Sequence, residues 1–297
     1  RILEILLNDT CNLKCVYCGP AFSSQWKSEI KKHGALTDPD GKPIQGRTPT
    51  SSGMFKSKEQ PAYLSKTTDW LRRNAHKLTR LNLQGGETFY QSELDDILDA
   101  LEDQEARHLE LNIISNLMVK EKDFLSRIER IKKLCADRKI GRFDLTASID
   151  GWGPEAEYIV EQKWITTHVN LTMTAMTVRS LPHLVTKILH YRKKNPKISI
   201  RAGALTGSPY LHPAVFGRKF WTDSYSNNSS YMEDVLSVWP KVDHHDVNQM
   251  QEFKSIFESI KNEMPEKNML RYFKHYLDQL DKRRNTNWRE VFPHLDI

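Results

Sequence analysis

Short apolar-rich segments alternate with longer stretches whose apolar residues recur at helical spacing. The predicted strands are 2–7, 79–84, 109–114, 143–149, 168–176 and 197–204, and the predicted helices are 61–77, 91–105, 120–137, 154–163 and 181–194. Strand–helix alternation implies right-handed βαβ units and a parallel sheet. Six strands suit a partial barrel rather than a complete eight-stranded one. The expected class is therefore α/β, a partial (β/α)6 barrel of the TIM type with a helical C-terminal extension.

The strands are apolar on one face only. In 143–149, Phe143, Leu145, Ala147 and Ile149 share one side, and Asp144, Thr146 and Ser148, followed by Asp150, share the other. Asn82 and Gln84, Glu110 and Asn112, and Asn170, Thr172 and Thr174 repeat that alternation, as do Ser199 and Arg201. A parallel strand covered by helices on both faces would be apolar on both. The polar face is thus expected to line a wet or ligand-filled lumen. Arg201 in such a lumen would need an anionic partner, since an unpaired buried charge is costly.

Two regions leave this rhythm. Residues 34–60 are polar, rich in Gly, Pro, Ser, Thr and Lys, and aperiodic, so they read as an insertion loop. Beyond residue 205 come helical patterns near 231–238, 246–263 and 266–284; in the last, Leu270, Phe273, Leu277 and Leu280 form an amphipathic stripe. The expected organisation is a barrel over 1–205 and a mainly helical extension over 206–297 packed on it.

Composition changes this picture little. Hydrophobic residues make up 38% of the 297-residue chain, enough for a sizeable core. No apolar run is long enough to span a bilayer, which takes about 20 residues, and no signal peptide is visible, so a cytoplasmic location is expected. The chain opens on Arg1, which suggests a native segment before it. The net charge of +6 could serve nucleic acid, but much of it lies in mixed-sign helices such as 121–142, which read as solvated faces. A nucleic-acid partner is not favoured. The sequons at Asn227 and Asn228 are expected to be idle. Asp243-His244-His245-Asp246 invites a metal reading, but adjacent histidines point apart and Asp246 suits a helix cap.

Of four cysteines, three lie in Cys11-x3-Cys15-x2-Cys18, directly after the first strand. Such clustering argues for a metal site in a reducing compartment rather than a disulfide framework. Three thiolates on one loop would hold three irons of a cluster and leave a fourth open. A zinc site would want a fourth ligand. Cys135 shares a helical face with Phe124, Ile128 and Ile131 and reads as a buried structural cysteine. Gly85-Gly86-Glu87 ends the second strand, where glycines let backbone approach a ligand and parallel folds place their sites. Ser148 and Asp150 suit hydroxyl recognition, although Asp150 could instead cap a helix. Asn116 follows the third strand.

The cysteine spacing, its position after the first strand and Tyr17 before the last cysteine resemble the radical S-adenosylmethionine superfamily. Cys18-Gly19-Pro20, Ser23-Ser24-Gln25-Trp26, Leu280-Asp281-Lys282-Arg283-Arg284 and Val291-Phe292-Pro293 look like its twitch-domain-containing members. The barrel resemblance covers about residues 1–205. It implies a [4Fe–4S] cluster on Cys11, Cys15 and Cys18 that cleaves S-adenosylmethionine to a 5′-deoxyadenosyl radical, in an oxidoreductase-type reaction. It also implies cofactor contacts from Tyr17, Gly85, Gly86, Glu87, Asn116, Ser148, Asp150, Thr174 and Arg201. No catalytic residue is singled out. The expected substrate is a peptide or protein, with a nucleoside, nucleotide or other small molecule as the alternative, and a flavodoxin- or ferredoxin-type electron donor. Members of this kind usually carry auxiliary clusters, and Cys135 alone does not supply one. A reading of another class is a non-catalytic metal-binding module that recognises nucleic acid.

Overall fold

The structure is a computed structural model that describes residues 1–47, 60–149, 154–205, 208–220 and 268–297, with residues 248, 251, 254, 255 and 258–260 between them. Six strands form one parallel sheet in the order β1-β2-β3-β4-β5-β6: β1 Ile2–Leu6, β2 Arg80–Gln84, β3 Ala106–Ser115, β4 Ile140–Ser148, β5 Thr166–Met173 and β6 Ile198–Ala204. Each strand neighbours its predecessor, as right-handed βαβ units require. The helices are α1 Ser24–His33, α2 Gln60–Asn74, α3 Glu93–Glu102, α4 Glu121–Ala136, α5 Pro154–Glu161 and α6 Leu181–Lys194, then α7 Met269–Arg284 and α8 Trp288–Val291 in the C-terminal extension. The α/β class with a partial-barrel strand order and a helical C-terminal extension is the observed architecture. No helix among the described residues is long and apolar enough to cross a membrane.

The chain divides into two compact units, Arg1–Lys32 with Pro49–Val169 and His33–Thr48 with Asn170–Ile297. In the first, the apolar strand face supplies Leu81, Leu83, Leu111, Ile113, Phe143 and Leu145, all fully buried. Helix α3 buries Leu94, Ile97, Leu98 and Leu101, and α4 buries Phe124, Ile128, Ile131 and Leu134. Phe124 meets Phe89 edge-on at 5.1 Å between ring centroids. The Cys135 position was expected to be buried. Leu134 takes the inward place instead, Cys135 is half-buried, and desolvation still pushes its thiol up to about 11. The charged faces of these helices also meet each other. Arg127 pairs with Asp95 at 2.6 Å, and Arg130 with Glu102 at 2.6 Å and with Asp99. Part of the basic charge of α4 is thereby matched by acids of α3.

The second unit contains the first part of the polar insertion. Residues 34–47 of the expected insertion loop form an ordered strap. Asp38 makes its turn, accepting from Asp40 N and Lys42 N at 2.9 Å each, and Gly41 supplies φ 82°. That left-handed conformation is cheap only for glycine. Helix α7 holds the strap: Gln279 Nε2 donates to Thr37 O at 2.7 Å, and Arg283 donates to Ala35 O at 2.8 Å. Of the stripe expected on α7 at Leu270, Phe273, Leu277 and Leu280, the last three are buried, with Tyr276 beside them, and Leu270 is half-buried. Burial, above all, raises the Tyr276 phenol.

Much of the polar strand face of the first unit is paired within itself. Register pairs Glu4 with Asn82, Asn82 with Asn112, and Asn112 with Asp144. Thr146 Oγ1 donates to Asn112 Oδ1 at 3.0 Å, and Gln84 Nε2 to Glu4 Oε1 at 2.5 Å. The Asp144 side chain is fully buried and paired with Arg80 at 2.9 Å and Arg142 at 3.2 Å; Glu110 bridges the same two arginines at 3.0 Å each. Burial opposes ionisation of Asp144, but His168, Arg142 and Arg80 outweigh it and hold the carboxyl below its ordinary range.

Asp144→Ala should leave Arg80 and Arg142 with Glu110 as their shared carboxylate and destabilise the fold by about 2 kcal/mol through the lost charged hydrogen bonds, read as a lower urea midpoint at pH 7. Because the folded-state pKa of Asp144 is depressed, its contribution is present above the ordinary carboxylate range and is lost as pH falls through the folded value. The wild-type and variant midpoints should therefore converge in acid.

Candidate functional site

The loops that leave the C-terminal ends of β1, β2 and β3 are bonded into one block. Asn8 starts the first loop with a turn in which Thr10 N donates to Asn8 Oδ1 at 2.6 Å. The Gly85-Gly86 backbone then lies directly on it: Gly86 N donates to Asn8 O at 2.8 Å, and Glu87 N to Thr10 O at 2.9 Å. A Cβ on Gly85 would sit 2.5 Å from Asn8 O, and one on Gly86 2.3 Å from Thr10 O. Both glycines are required by backbone packed on backbone. Gln91 adds a side-chain tie, Nε2 donating to Thr10 O at 3.0 Å and Asn8 O at 3.2 Å.

Glu87 is buried between the second and third loops. Its carboxylate accepts from Ser115 Oγ at 2.6 Å, Asn116 N at 2.6 Å and Phe89 N at 3.1 Å. Burial pushes the carboxyl up, while the three donors favour its ionised form. Ser115 Oγ also accepts from Leu117 N at 3.0 Å, bracing Leu117 at φ 58°, a costly conformation for a residue with a Cβ. Glu87 therefore serves as a latch across the strand ends.

The cysteine loop is clasped from its other side by the start of α1. Ser24 N donates to Asp9 O at 2.8 Å, and Cys11 N donates to Ser24 Oγ at 3.1 Å. Ser23 caps the helix, its hydroxyl accepting from Trp26 N at 3.3 Å and donating to Leu13 O at 2.8 Å. Trp26 is fully buried, and its indole N–H donates to Cys15 O at 2.9 Å. The cations along this loop are neutralised, Lys14 by Glu29 at 2.9 Å and Lys27 by Asp9.

Cys11 is buried. Its sulfur accepts from Leu13 N at 3.4 Å and lies 4.0 Å from the Asn116 amide nitrogen. Desolvation is the main cause that raises its thiol, so the neutral form is favoured. Cys15 and Cys18 are half-buried, and the Cys18 thiol donates to Gly19 O at 3.8 Å. Among the described residues, no group of three or more His, Cys, Asp or Glu side chains is placed to hold a metal ion. Cluster ligation needs thiolates converging on one point, and the loop instead holds Cys11 as a buried thiol. This corrects the expectation raised by the spacing. The [4Fe–4S] cluster, the S-adenosylmethionine site, the radical and oxidoreductase chemistry, membership of the radical S-adenosylmethionine superfamily and the metal-binding nucleic-acid module are all withdrawn.

The other expected site residues fall in two groups. Tyr17, Gly85, Gly86, Glu87, Asn116 and Ser148 belong to the first unit, and all but Glu87 are half-buried there. Asn116 Nδ2 donates to Asn12 Oδ1 at 3.2 Å, and Asn116 Oδ1 accepts from Met118 N at 2.8 Å. Thr174 and Arg201 belong to the second unit. Thr174 is fully buried and closes its own turn, its hydroxyl accepting from Met176 N and Thr177 N at 3.3 Å each. Arg201 is exposed, so the buried-charge requirement does not apply to it. Asp150, both sequons and Asp243-His244-His245-Asp246 lie outside the described residues.

Asn12 and Gln91 escaped notice in the sequence, and Ser24 and Trp26 entered it only within the Ser23-Ser24-Gln25-Trp26 resemblance. Each acts through hydrogen bonds across the loops, which have no period along the chain. Compared with known proteins, the chain matches no family model and no curated protein.

Glu87→Gln should cost about 2 kcal/mol, because the amide turns an NH2 towards a site that offers only donors. Thermal or urea unfolding of the variant checks this. Anaerobically purified protein incubated with ferrous iron and sulfide should carry no stoichiometric iron by colorimetric assay. Tight iron lost from Cys11→Ala, Cys15→Ala and Cys18→Ala alike would restore a metal site.

Proposed function

We infer that the first unit is a binding domain for a small uncharged polar molecule or peptide group, taken at the C-terminal ends of β1–β4 without a metal. Open parallel sheets bind ligands at this edge because loop backbone groups and strand-end side chains converge there. The observation that carries the reading is Ser148. It ends β4, half-buried, on the same face as the bonded Thr146–Asn112 pair, and among the described residues its hydroxyl has no hydrogen-bond partner. A half-buried hydroxyl left without a partner costs free energy that a ligand would recover. Asn116 and Tyr17 supply further half-buried polar groups of this unit. Glu87 and the two glycines act through position, holding the loops rather than touching the ligand. Lys14 and Lys27 are neutralised by Glu29 and Asp9, which favours amide or hydroxyl groups over phosphate or carboxylate.

Titration calorimetry with a ribonucleoside and with a dipeptide amide tests this. At least one should bind, and Ser148→Ala should weaken it about fivefold, the equivalent of one neutral hydrogen bond of about 1 kcal/mol. The melting temperature should stay the same, because the hydroxyl holds nothing in the free protein. If neither probe binds, or if Ser148→Ala binds as well as wild type, the reading fails.

A further inference from the structure

The cysteine loop carries a second chemistry in the spacing of its last two thiols. Cys18 N donates to Cys15 O at 3.0 Å, so Cys15-Val16-Tyr17-Cys18 is a hydrogen-bonded turn with a cysteine at each end. The ends of such a turn lie under about 7 Å apart at Cα. A disulfide needs roughly 4.4–6.8 Å between the same atoms. The turn therefore brings both residues within bridging range without moving the chain. It is also anchored from below, since the fully buried Trp26 donates to Cys15 O and Ser23 fixes Leu13 O just before it. Cys15 and Cys18 are both half-buried and thus reachable by a small molecule, whereas Cys11 is buried behind them. No cysteine is in a disulfide.

We propose that Cys15 and Cys18 form a redox-active dithiol that exchanges with small-molecule disulfides. One sulfur of the pair, as thiolate, attacks a sulfur of glutathione disulfide. Its S–S bond breaks, a protein–glutathione mixed disulfide forms, and the first glutathione leaves as thiolate and takes up a proton from water. The second cysteine gives its proton to solvent and attacks the protein sulfur of the mixed disulfide, which expels the second glutathione. The two cysteines lose two electrons, and glutathione disulfide gains them as two thiols. Cys11 takes no part, because burial keeps it protonated and shields it from the attacking disulfide. The turn shares Tyr17 with the ligand edge inferred above, but the exchange uses neither Ser148 nor Asn116 and is read on the thiols alone.

The test is to incubate the reduced full chain with glutathione disulfide, quench with acid, alkylate, and map the peptides by mass. Wild type should lose two alkylatable thiols and yield a Cys15–Cys18 bridge without retained glutathione. Cys15→Ser and Cys18→Ser should each keep one glutathione on the remaining cysteine of the pair, as the resolving sulfur is gone. Reduction with excess glutathione should return the wild-type thiols. Retained glutathione on Cys15 or Cys18 in wild type, a bridge to Cys11, or no loss of thiols would overturn the proposal. The wild-type mapping alone decides the matter if a serine variant fails to fold.

Discussion

The contact that the strand-end loops depend on is backbone against backbone. Gly85 and Gly86 lie so close to Asn8, Asp9 and Thr10 that a single methyl group would overlap carbonyl oxygens at 2.3–2.7 Å. That closeness lets two main-chain N–H groups reach two main-chain carbonyls, and it places Glu87 where its carboxylate spans to Ser115 and Asn116. Three loops that follow three strands thus behave as one body. A buried carboxylate is expensive unless several donors satisfy it. Here three do, and their directions fix the turn after β3, including the left-handed Leu117. The arrangement is over-determined, which is what a rigid strand-end platform needs.

The polar face beneath that platform illustrates a general ambiguity. A strand with polar residues on one side and apolar residues on the other predicts that the polar side meets something polar. It does not say what. In this protein much of the answer is other polar residues of the same sheet: Asp144 meets Arg80 and Arg142, Asn112 meets Thr146, and Gln84 meets Glu4. Side chains one row apart on the same face also reach each other across adjacent parallel strands, as Thr146 reaches Asn112 and Gln84 reaches Glu4. The network leaves little polar capacity for a ligand in the middle of the sheet. Ser148, at the C-terminal end of the same face, remains outside it.

How much of this was legible in the sequence follows from the range of each interaction. All six strands and six of the described helices could be read from periodicity, since a buried face repeats every two or every 3.6 residues. Helix α1 escaped because its inward residues are few, chiefly Trp26 and Ile30, and its start is set by Ser23 and Ser24 contacts with the cysteine loop. The strap at 34–47 escaped because its order comes from a distant helix, through Gln279 and Arg283. The double glycine accommodates the chain's own backbone at Asn8, Asp9 and Thr10. Composition cannot distinguish a glycine kept for a ligand from one kept for a carbonyl.

The cysteines show the same limit most sharply. Spacing along a loop fixes which sulfurs can meet only when the loop's path is known. A three-residue gap and a two-residue gap permit convergence on a cluster, and they equally permit one thiol to turn inward while the other two remain on a turn. Two local bonds set the path here. Leu13 N on the Cys11 sulfur and Ser24 on the Cys11 backbone draw the first cysteine under the loop. The Cys15–Cys18 backbone bond closes the remaining pair into a turn. Burial then divides the thiols chemically. A desolvated thiol resists ionisation and so serves neither as nucleophile nor as ligand, while thiols near the surface keep access to solvent and to small molecules. The loop separates its cysteines by environment, and the clasp of Gly85-Gly86 on one side and α1 on the other holds that separation in place.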